Sequence, residues 1–186
     1  PNDHVWVGGR SANALGIRFA PNLPTEEVFT MPHKDRVDGV VRATKPLSYG
    51  GTLIEGFTLR FDGGRVVELH AEKNESVLKR LVDMDAGAAR LGELALVPHS
   101  SPVAQTGVLF YNTLFDENAA SHVALGAAYK FTLRGGESMP EDAFEQAGGN
   151  RSAAHVDFMI GSGELDVDGV LPSGTAEPVM RKGEWI

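Results

Sequence analysis

The sequence predicts an α+β fold in which a curved, mostly antiparallel β-sheet is covered by at least two helices. Three observations support this class. Strand-like segments, with alternating apolar and polar residues or many β-branched residues, recur along the chain. Two of these segments are joined by Asp62-Gly63-Gly64, and Asp-Gly supplies the positive φ angles that a tight hairpin turn requires. Other stretches show helical periodicity.

Each predicted element follows from a local pattern. The strand pattern covers residues 5–7, 28–30, 37–44, 52–61, 65–71, 107–111 and 156–160. A first helix is predicted over residues 75–89, where one stripe is apolar: Val77, Leu78, Leu81, Val82 and Met84. A second helix, beginning near Asn118 and covering residues 119–129, is predicted from the alanine content and the lack of proline. Residues 140–146 are acidic and form at most a short surface helix.

The composition limits the classes of protein and partner. The chain has 186 residues, 42% hydrophobic and 23% charged, which suffices for one domain with a proper core. A net charge of −8, with no basic run longer than Lys79-Arg80, argues against nucleic acid and anionic membrane surfaces as partners. No apolar run approaches a membrane span. Cysteine is absent, so any metal ion must be held by oxygen and imidazole, and a cytoplasmic location is expected.

The most informative residues are His155 and Asp157, two apart in a predicted strand. Alternation places them on one face of the strand and the apolar Val156, Phe158 and Ile160 on the other. A nitrogen and an oxygen ligand then point to the same place, which suits Zn²⁺, Co²⁺ or Mn²⁺. The alternative is a strand whose polar face is simply solvated.

The second predicted helix carries further candidates. His122 and Tyr129 are seven residues apart and therefore share one helical face. Glu117 lies five residues before His122, a spacing that fits one site if Glu117 sits in the preceding loop and folds back over the first turn. The alternative is a core helix with a buried histidine and tyrosine and a carboxylate near its N-terminus, where the helix dipole favours negative charge.

Two more acidic positions stand out. Glu93 is embedded in an apolar run, and burying an unpaired carboxylate is costly, so either a cation compensates it or it faces solvent. Glu26 and Glu27 are adjacent on an extended segment, where they point opposite ways, so only one can enter a site. With these residues, the chain offers about the ligands that two divalent ions with bridging carboxylates need: Glu27, Glu93, Glu117, His122, His155 and Asp157.

Four longer motifs carry a family resemblance: residues 21–30 (PNLPTEEVFT), 39–47 (GVVRATKPL), 114–122 (LFDENAASH) and 155–161 (HVDFMIG). Together they resemble the M29 family of metallo-aminopeptidases, and the resemblance extends from Trp6 to Trp185. It corresponds to the C-terminal half of those enzymes. By this resemblance, residues 1–186 are the C-terminal metal-binding, catalytic domain of a longer two-domain enzyme whose N-terminal domain is absent from this chain.

The resemblance also implies roles for single residues. Glu27, Glu93, Glu117, His122, His155 and Asp157 match the metal ligands of the family. They imply two divalent ions, zinc or cobalt and in some cases manganese or magnesium. Tyr129 matches the active-site tyrosine of the family, placed at the metal ions as a ligand or as a stabiliser of the tetrahedral intermediate. The family is also described as homodimeric, and its substrates are peptides with a free N-terminus.

The implied function is a metal-dependent aminopeptidase that removes N-terminal residues through a water activated by two metal ions. A carboxylate must carry the proton from water to the leaving amine, and Glu26 and Glu117 are the candidates. Tyr129 is the third residue predicted to be catalytic. Two alternatives stay open. The chain is a metal-binding and dimerisation domain without activity of its own, or a dinuclear hydrolase of another class, such as a phosphoesterase or amidase.

Overall fold

A computed structural model describes residues 1–186 of the protein. Every strand pairs with a neighbour in the antiparallel direction, and the strands form five separate sheets. The helices are short: α1 (Glu75–Val82), α2 (Pro102–Gln105), α3 (Thr113–Asp116) and α4 (Glu141–Gln146). The strands are β1 (Val7–Gly8), β2 (Ser11–Ala12), β3 (Arg18–Phe19), β4 (Val28–Thr30), β5 (Gly39–Arg42), β6 (Leu47–Tyr49), β7 (Thr52–Ile54), β8 (Thr58–Asp62), β9 (Arg65–His70), β10 (Leu91–Leu96), β11 (His122–Gly126), β12 (His155–Met159), β13 (Val167–Val170), β14 (Ala176–Arg181) and β15 (Glu184–Trp185). The predicted α+β class is confirmed.

The largest sheet has five strands in the order β1-β4-β10-β11-β12. Its inner strands β10 and β11 are almost entirely buried on both faces. The other strands form smaller sheets, of which β5-β8-β9 and β13-β14-β15 have three strands each. No helix has the length and apolar character that crossing a membrane requires.

The hydrophobic core lies against one face of the five-stranded sheet. Val123, Leu125, Val156 and Phe158 of β11 and β12 join it, together with residues of β8 and α1. The rings of Phe57 and Phe158 have centroids 5.1 Å apart. Because this face of β11 and β12 is fully used for packing, polar side chains of the same strands must project from the opposite face.

Helix α1 buries the predicted stripe only in part. Leu78, Leu81 and Val82 are buried, while Met84 lies beyond the helix and is 48% exposed. The helix was predicted to reach residue 89 and ends at Val82. Asp85 explains the difference, because its carboxylate accepts hydrogen bonds that close a turn directly after the helix.

Asp85 links this turn to the segment that leads into β12. Its Oδ1 accepts from the backbone N–H groups of Gly87 and Ala88, both at 2.8 Å, and Oδ2 accepts from the N–H of Ala153, also at 2.8 Å. The hydroxyl of Ser152 donates to the same carboxylate. These bonds, first that from Ala153, hold the pKa of Asp85 below its usual value.

A pH-dependent loss of stability is expected from Asp85→Asn. The lowered pKa means that the charged form stabilises the fold above the unfolded-state value near pH 4, and that this contribution is lost as the pH falls through the lower folded-state value. We expect the free energy of unfolding at pH 7 to fall by about 1–2 kcal/mol. Urea titrations at decreasing pH measure the free energy of unfolding, and the difference between the variant and wild type should disappear in acid. Asp83→Asn removes an exposed ion pair with Lys79 and should change little at any pH.

The predicted hairpin over Asp62-Gly63-Gly64 is confirmed as the β8–β9 connection. Asp62 pairs with Arg65, so Gly63 and Gly64 form a two-residue turn with φ angles of 54° and 79°. Such a turn favours glycine at both positions. Gly64 also approaches another segment closely, since a Cβ there would lie 1.8 Å from the carbonyl oxygen of Lys34.

The two glycines should therefore differ in their response to alanine. Gly64→Ala combines an unfavourable φ with a backbone clash, and we expect it to lower the free energy of unfolding by about 3 kcal/mol or more. Gly63→Ala meets no atom within 4 Å and should cost only about 1 kcal/mol. Chemical denaturation of both variants compares them. Equal losses would show that the close approach to Lys34 carries no cost.

Several predicted boundaries hold and others need correction. The strand over 28–30 is confirmed, the strand over 65–71 ends one residue earlier, the strand over 156–160 is displaced by one residue at both ends, and the short helix over 140–146 forms as α4. Residues 5–7 and 37–44 contribute the shorter β1 and β5. The segment 52–61 divides into β7 and β8, and between them Gly56 has φ of 60°.

Two predictions over the middle of the chain are wrong. Residues 107–111 form no strand. Instead, Asp116 accepts hydrogen bonds from the N–H groups of Phe110 (2.7 Å) and Asn112 (3.0 Å) and holds a loop. The second helix over residues 119–129 is also wrong, because a 3-10 turn at Glu117–Ala119 is followed by β11. Pairing with β10 and β12 on both sides overrides the helix propensity of the alanines.

Candidate metal centre

The polar residues gather on one face of the five-stranded sheet because of its register. Directly paired residues of antiparallel strands project to the same face. Asp157 and Glu93 both pair with Ala124, which lies between them on β11. His155 pairs with Gly126. The small residues Ala124 and Gly126 therefore leave space above β11 for the larger polar side chains on each side.

The register also brings His122 and Glu27 to this face. His122 lies two residues before Ala124 and pairs with Ala95, which in turn pairs with Phe29 of β4. Glu27 precedes Phe29 by two residues and is buried, with 7% exposure. The histidine was predicted on a helix and lies on a strand, but it reaches the same site as His155.

Glu117 and Tyr129 reach the site from outside the sheet. Glu117 begins the 3-10 turn before β11, and its carboxylate lies within 4.8 Å of ligand atoms of His122 and Asp157. Tyr129 follows β11 and places its ring centroid 4.7 Å from that of His155. It shares no helical face with His122, since no helix is present. The structure thus brings together all six predicted ligands and the tyrosine.

Glu93 lies between the two imidazoles. Its Oε1 is 3.5 Å from Nε2 of His122, and its Oε2 is 3.8 Å from Nε2 of His155. Glu27 Oε2 is 3.0 Å from Nε2 of His122, and Asp157 Oδ1 is 3.4 Å from Nε2 of His155. Each histidine therefore has its own acidic neighbour and shares Glu93 with the other.

Backbone carbonyls orient both imidazoles. Nδ1 of His122 lies 3.0 Å from the carbonyl oxygen of Ala120, and Nδ1 of His155 lies 2.7 Å from that of Ala127. A proton on each Nδ1 satisfies these contacts and leaves the lone pair of each Nε2 facing the carboxylates. A hydrogen bond of this kind accompanies most metal-binding histidines and fixes the ring.

The donor atoms fit a divalent cation. Glu27 Oε2, His122 Nε2 and Asp157 Oδ1 are buried without a hydrogen-bond partner of good geometry, and such atoms are costly inside a protein. An ion bound at about 2.0–2.2 Å separates neighbouring ligand atoms by roughly 3.0–3.5 Å, the range found between several of these atoms. The burial and spacing of these donor atoms therefore fit a bound divalent metal ion.

The pKa values of the buried carboxylates and of His155 indicate an excess of negative charge at the site. Burial raises the pKa of Glu117 to about 8, and the negative charges of Asp157, Glu27 and Glu93 add to the effect. Burial also raises the pKa of Glu93. Burial lowers the pKa of His155, but the nearby carboxylate of Asp157 outweighs this effect, and the pKa rises to about 9. Four carboxylates exceed what two imidazoles balance, and a divalent cation would supply the difference.

A cavity of about 540 Å³ opens above these residues. Carboxylates and His155 form its polar part, and aromatic rings line one wall. Tyr129 and Phe131 stack with centroids 5.2 Å apart and an interplanar angle of 13°, and Phe29 meets Phe131 edge to face at 6.0 Å. Burial, followed by the negative charge of Glu93, raises the pKa of Tyr129 to about 12, so its hydroxyl stays protonated near neutral pH.

Glu26 differs from its neighbour Glu27. It is only half-buried and is not among the residues that line the cavity. Sequence reasoning missed two residues near the site, Phe131 and Asn118. No strand periodicity could have found Phe131, because it lies in a 3-10 turn over Lys130–Thr132 directly after Tyr129.

The antiparallel α+β fold places six candidate ligands, four carboxylates and two imidazoles, beneath an open cavity, an arrangement typical of proteins that bind divalent metal ions. The match to known families makes this specific: the chain belongs to the thermophilic metalloprotease family M29, whose model covers residues 1–185.

Similar proteins agree along the whole chain. Aminopeptidase AmpS of Bacillus subtilis is 55% identical over 185 residues, which are 100% of this chain and 45% of that protein. Aminopeptidase T of Thermus thermophilus is 57% identical over 183 residues, which are 98% of this chain and 44% of that protein. The solved structure of wild-type AmpT from Thermus thermophilus matches with a TM-score of 0.93 at 58% identity, covering 99% of this chain and 45% of that one. The chain thus spans less than half the length of these relatives.

Proposed function

We propose that this chain is the metal-binding catalytic domain of an aminopeptidase that removes N-terminal residues from peptides, using two divalent ions. The observation that supports this most strongly is the position of Glu93, whose two oxygens face different histidines. Two ligand groups, Glu27 with His122 and His155 with Asp157, each include Glu93. Zinc and cobalt suit these ligands, and manganese and magnesium are further candidates.

Different residues of the site would have different catalytic roles. Two divalent ions in such a site lower the pKa of a water molecule and polarise the scissile carbonyl. Glu117 lines the cavity, whereas Glu26 does not, so we assign to Glu117 the transfer of a proton from water to the leaving amine. Tyr129 would donate a hydrogen bond to the oxygen on which negative charge develops.

Substrate recognition follows from the same cavity. A peptide with a free N-terminus would place its amine at the acidic cluster and its first side chain near Phe29 and Phe131. Predicted homodimer formation and a cytoplasmic location belong to this proposal, and the absence of cysteine is compatible with that location.

One alternative has an observation in its favour. The chain covers 44–45% of its relatives' length, and the aromatic wall of the cavity is exposed, with Phe131 at 44%. Both facts fit a domain that binds metal but needs further chain to cleave peptides.

The test compares leucine p-nitroanilide with its N-acetylated form, in the presence of Co²⁺ or Zn²⁺ and after chelation. Metal-dependent cleavage of the free-amine substrate alone supports the proposal. Cleavage of both substrates would contradict aminopeptidase selectivity. Bound metal without cleavage of either would favour the domain that lacks activity of its own.

The aromatic wall leads to a prediction about specificity. Phe131→Ala removes apolar surface that a leucine side chain would cover, so we expect kcat/KM for leucine p-nitroanilide to fall about tenfold. The loss for alanine p-nitroanilide should be smaller, because a methyl group reaches less of the wall. Phe110→Ala, an equally exposed phenylalanine outside the cavity, is the control. Equal losses for both substrates would show that Phe131 does not select the first residue.

A further inference from the structure

Asn118 occupies a buried position between two segments of the metal centre. It is 1% exposed. Its Oδ1 accepts a hydrogen bond from the backbone N–H of Glu26 at 2.6 Å, and its Nδ2 donates to the carbonyl oxygen of Leu114 at 2.9 Å. Its own carbonyl oxygen accepts from the hydroxyl of Ser101 at 3.1 Å. The side chain and backbone of Asn118 are therefore both fixed.

The bond to Glu26 joins parts of the chain that are 92 residues apart. Glu26 directly precedes Glu27, which is buried beside His122. Asn118 directly follows Glu117, which lies in the cavity. The amide of Asn118 thus connects the backbones that carry two of the carboxylates, and neither Asn118 nor Glu26 is among the residues that line the cavity.

This hydrogen bond would oppose the repulsion between the two carboxylates. The carboxylates of Glu27 and Glu117 lie in a largely buried place and repel each other when both are ionised. The 3-10 turn that carries Glu117 lies outside the five-stranded sheet, so sheet pairing does not hold it. A neutral amide resists separation of the two segments without adding charge to the cluster.

We propose that Asn118 is a positioning residue that holds Glu27 and Glu117 together and thereby sets the affinity of the centre for divalent ions. The inference rests on the proposed function. It assigns Asn118 no contact with metal or substrate, so its effect passes through the placement of the two carboxylates.

The test measures Co²⁺ binding to the 186-residue chain by visible absorption, after removal of metal by a chelator. Asn118→Ala should raise the dissociation constant about 10–100-fold, as loss of a residue that orients metal ligands commonly does. Activity, where present, should recover at high Co²⁺, since all ligands remain. Asn118→Asp has the same shape and, in the protonated form that burial favours, still accepts from the N–H of Glu26 and donates to the carbonyl oxygen of Leu114, so it should bind Co²⁺ about as tightly as wild type. Asn112→Ala removes a side-chain oxygen that accepts from the N–H of Leu114 at the start of α3, and it should leave Co²⁺ binding unchanged.

The outcomes separate this inference from the proposed function. If the wild-type chain binds no Co²⁺, the metal centre itself is refuted. If wild type binds and a folded Asn118→Ala binds equally well, only the role of Asn118 is refuted. Should Asn118→Ala fail to fold, Asn118→Asp decides, because weak binding by a folded variant that retains the acceptor would contradict the proposal.

Discussion

Glu93→Gln should abolish binding of at least one metal ion and lower kcat/KM by about a thousandfold or more, equivalent to roughly 4 kcal/mol of transition-state stabilisation. The reason is the position of Glu93 between His122 and His155, where it belongs to two of the three possible ligand groups. Glutamine keeps the shape but loses the charge and one acceptor. Metal analysis of the purified variant, together with leucine p-nitroanilide kinetics, measures both effects.

The same substitution should not weaken the fold of the metal-free protein. Glu93 is 5% exposed and lies near three other carboxylates, so a neutral side chain removes repulsion and the cost of burying a charge. We expect the free energy of unfolding in chelator to equal or exceed that of wild type. Glu68→Gln, on the exposed strand β9, serves as the control for metal binding. A destabilised Glu93→Gln that still binds two ions would indicate a structural carboxylate.

Tyr129→Phe should lower kcat by about a hundredfold to a thousandfold while metal content stays unchanged. Phenylalanine retains the stacking on Phe131 and the contact with His155, so the variant removes only the hydroxyl. If that hydroxyl stabilises the developing oxyanion, the loss appears in kcat and not in KM. Steady-state kinetics with metal analysis measure this. An unchanged kcat would restrict Tyr129 to forming the cavity wall, and a lost metal ion would make it a ligand.

The sequence is informative where one strand contains the whole pattern. His155 and Asp157 alternate with Val156 and Phe158, and the structure places the two pairs on opposite faces as predicted. The separation of Glu26 from Glu27 was likewise expected from their adjacency. In both cases the period of a single extended segment contains the necessary information.

The rest depends on pairing between distant segments. His122 was predicted on a helix because alanines surround it, and pairing with β10 and β12 decides otherwise. The hydrogen bond from the N–H of Glu26 to Asn118 joins residues 92 positions apart, and no local sequence pattern predicts it. Ala124 would have appeared as an ordinary core residue, although its small size leaves the space between Glu93 and Asp157. Local periodicity predicts the shared face of His155 and Asp157, and the register of the sheet brings them together with the other candidate ligands.

The proposed function depends above all on a centre for two ions that share Glu93. Anomalous diffraction at the cobalt absorption edge, from crystals of the chain grown with Co²⁺, would locate these ions. Two peaks about 3.5–4 Å apart are expected, both next to Glu93, with His122 at one and His155 at the other. A single peak, or peaks away from Glu93, would refute the proposed centre.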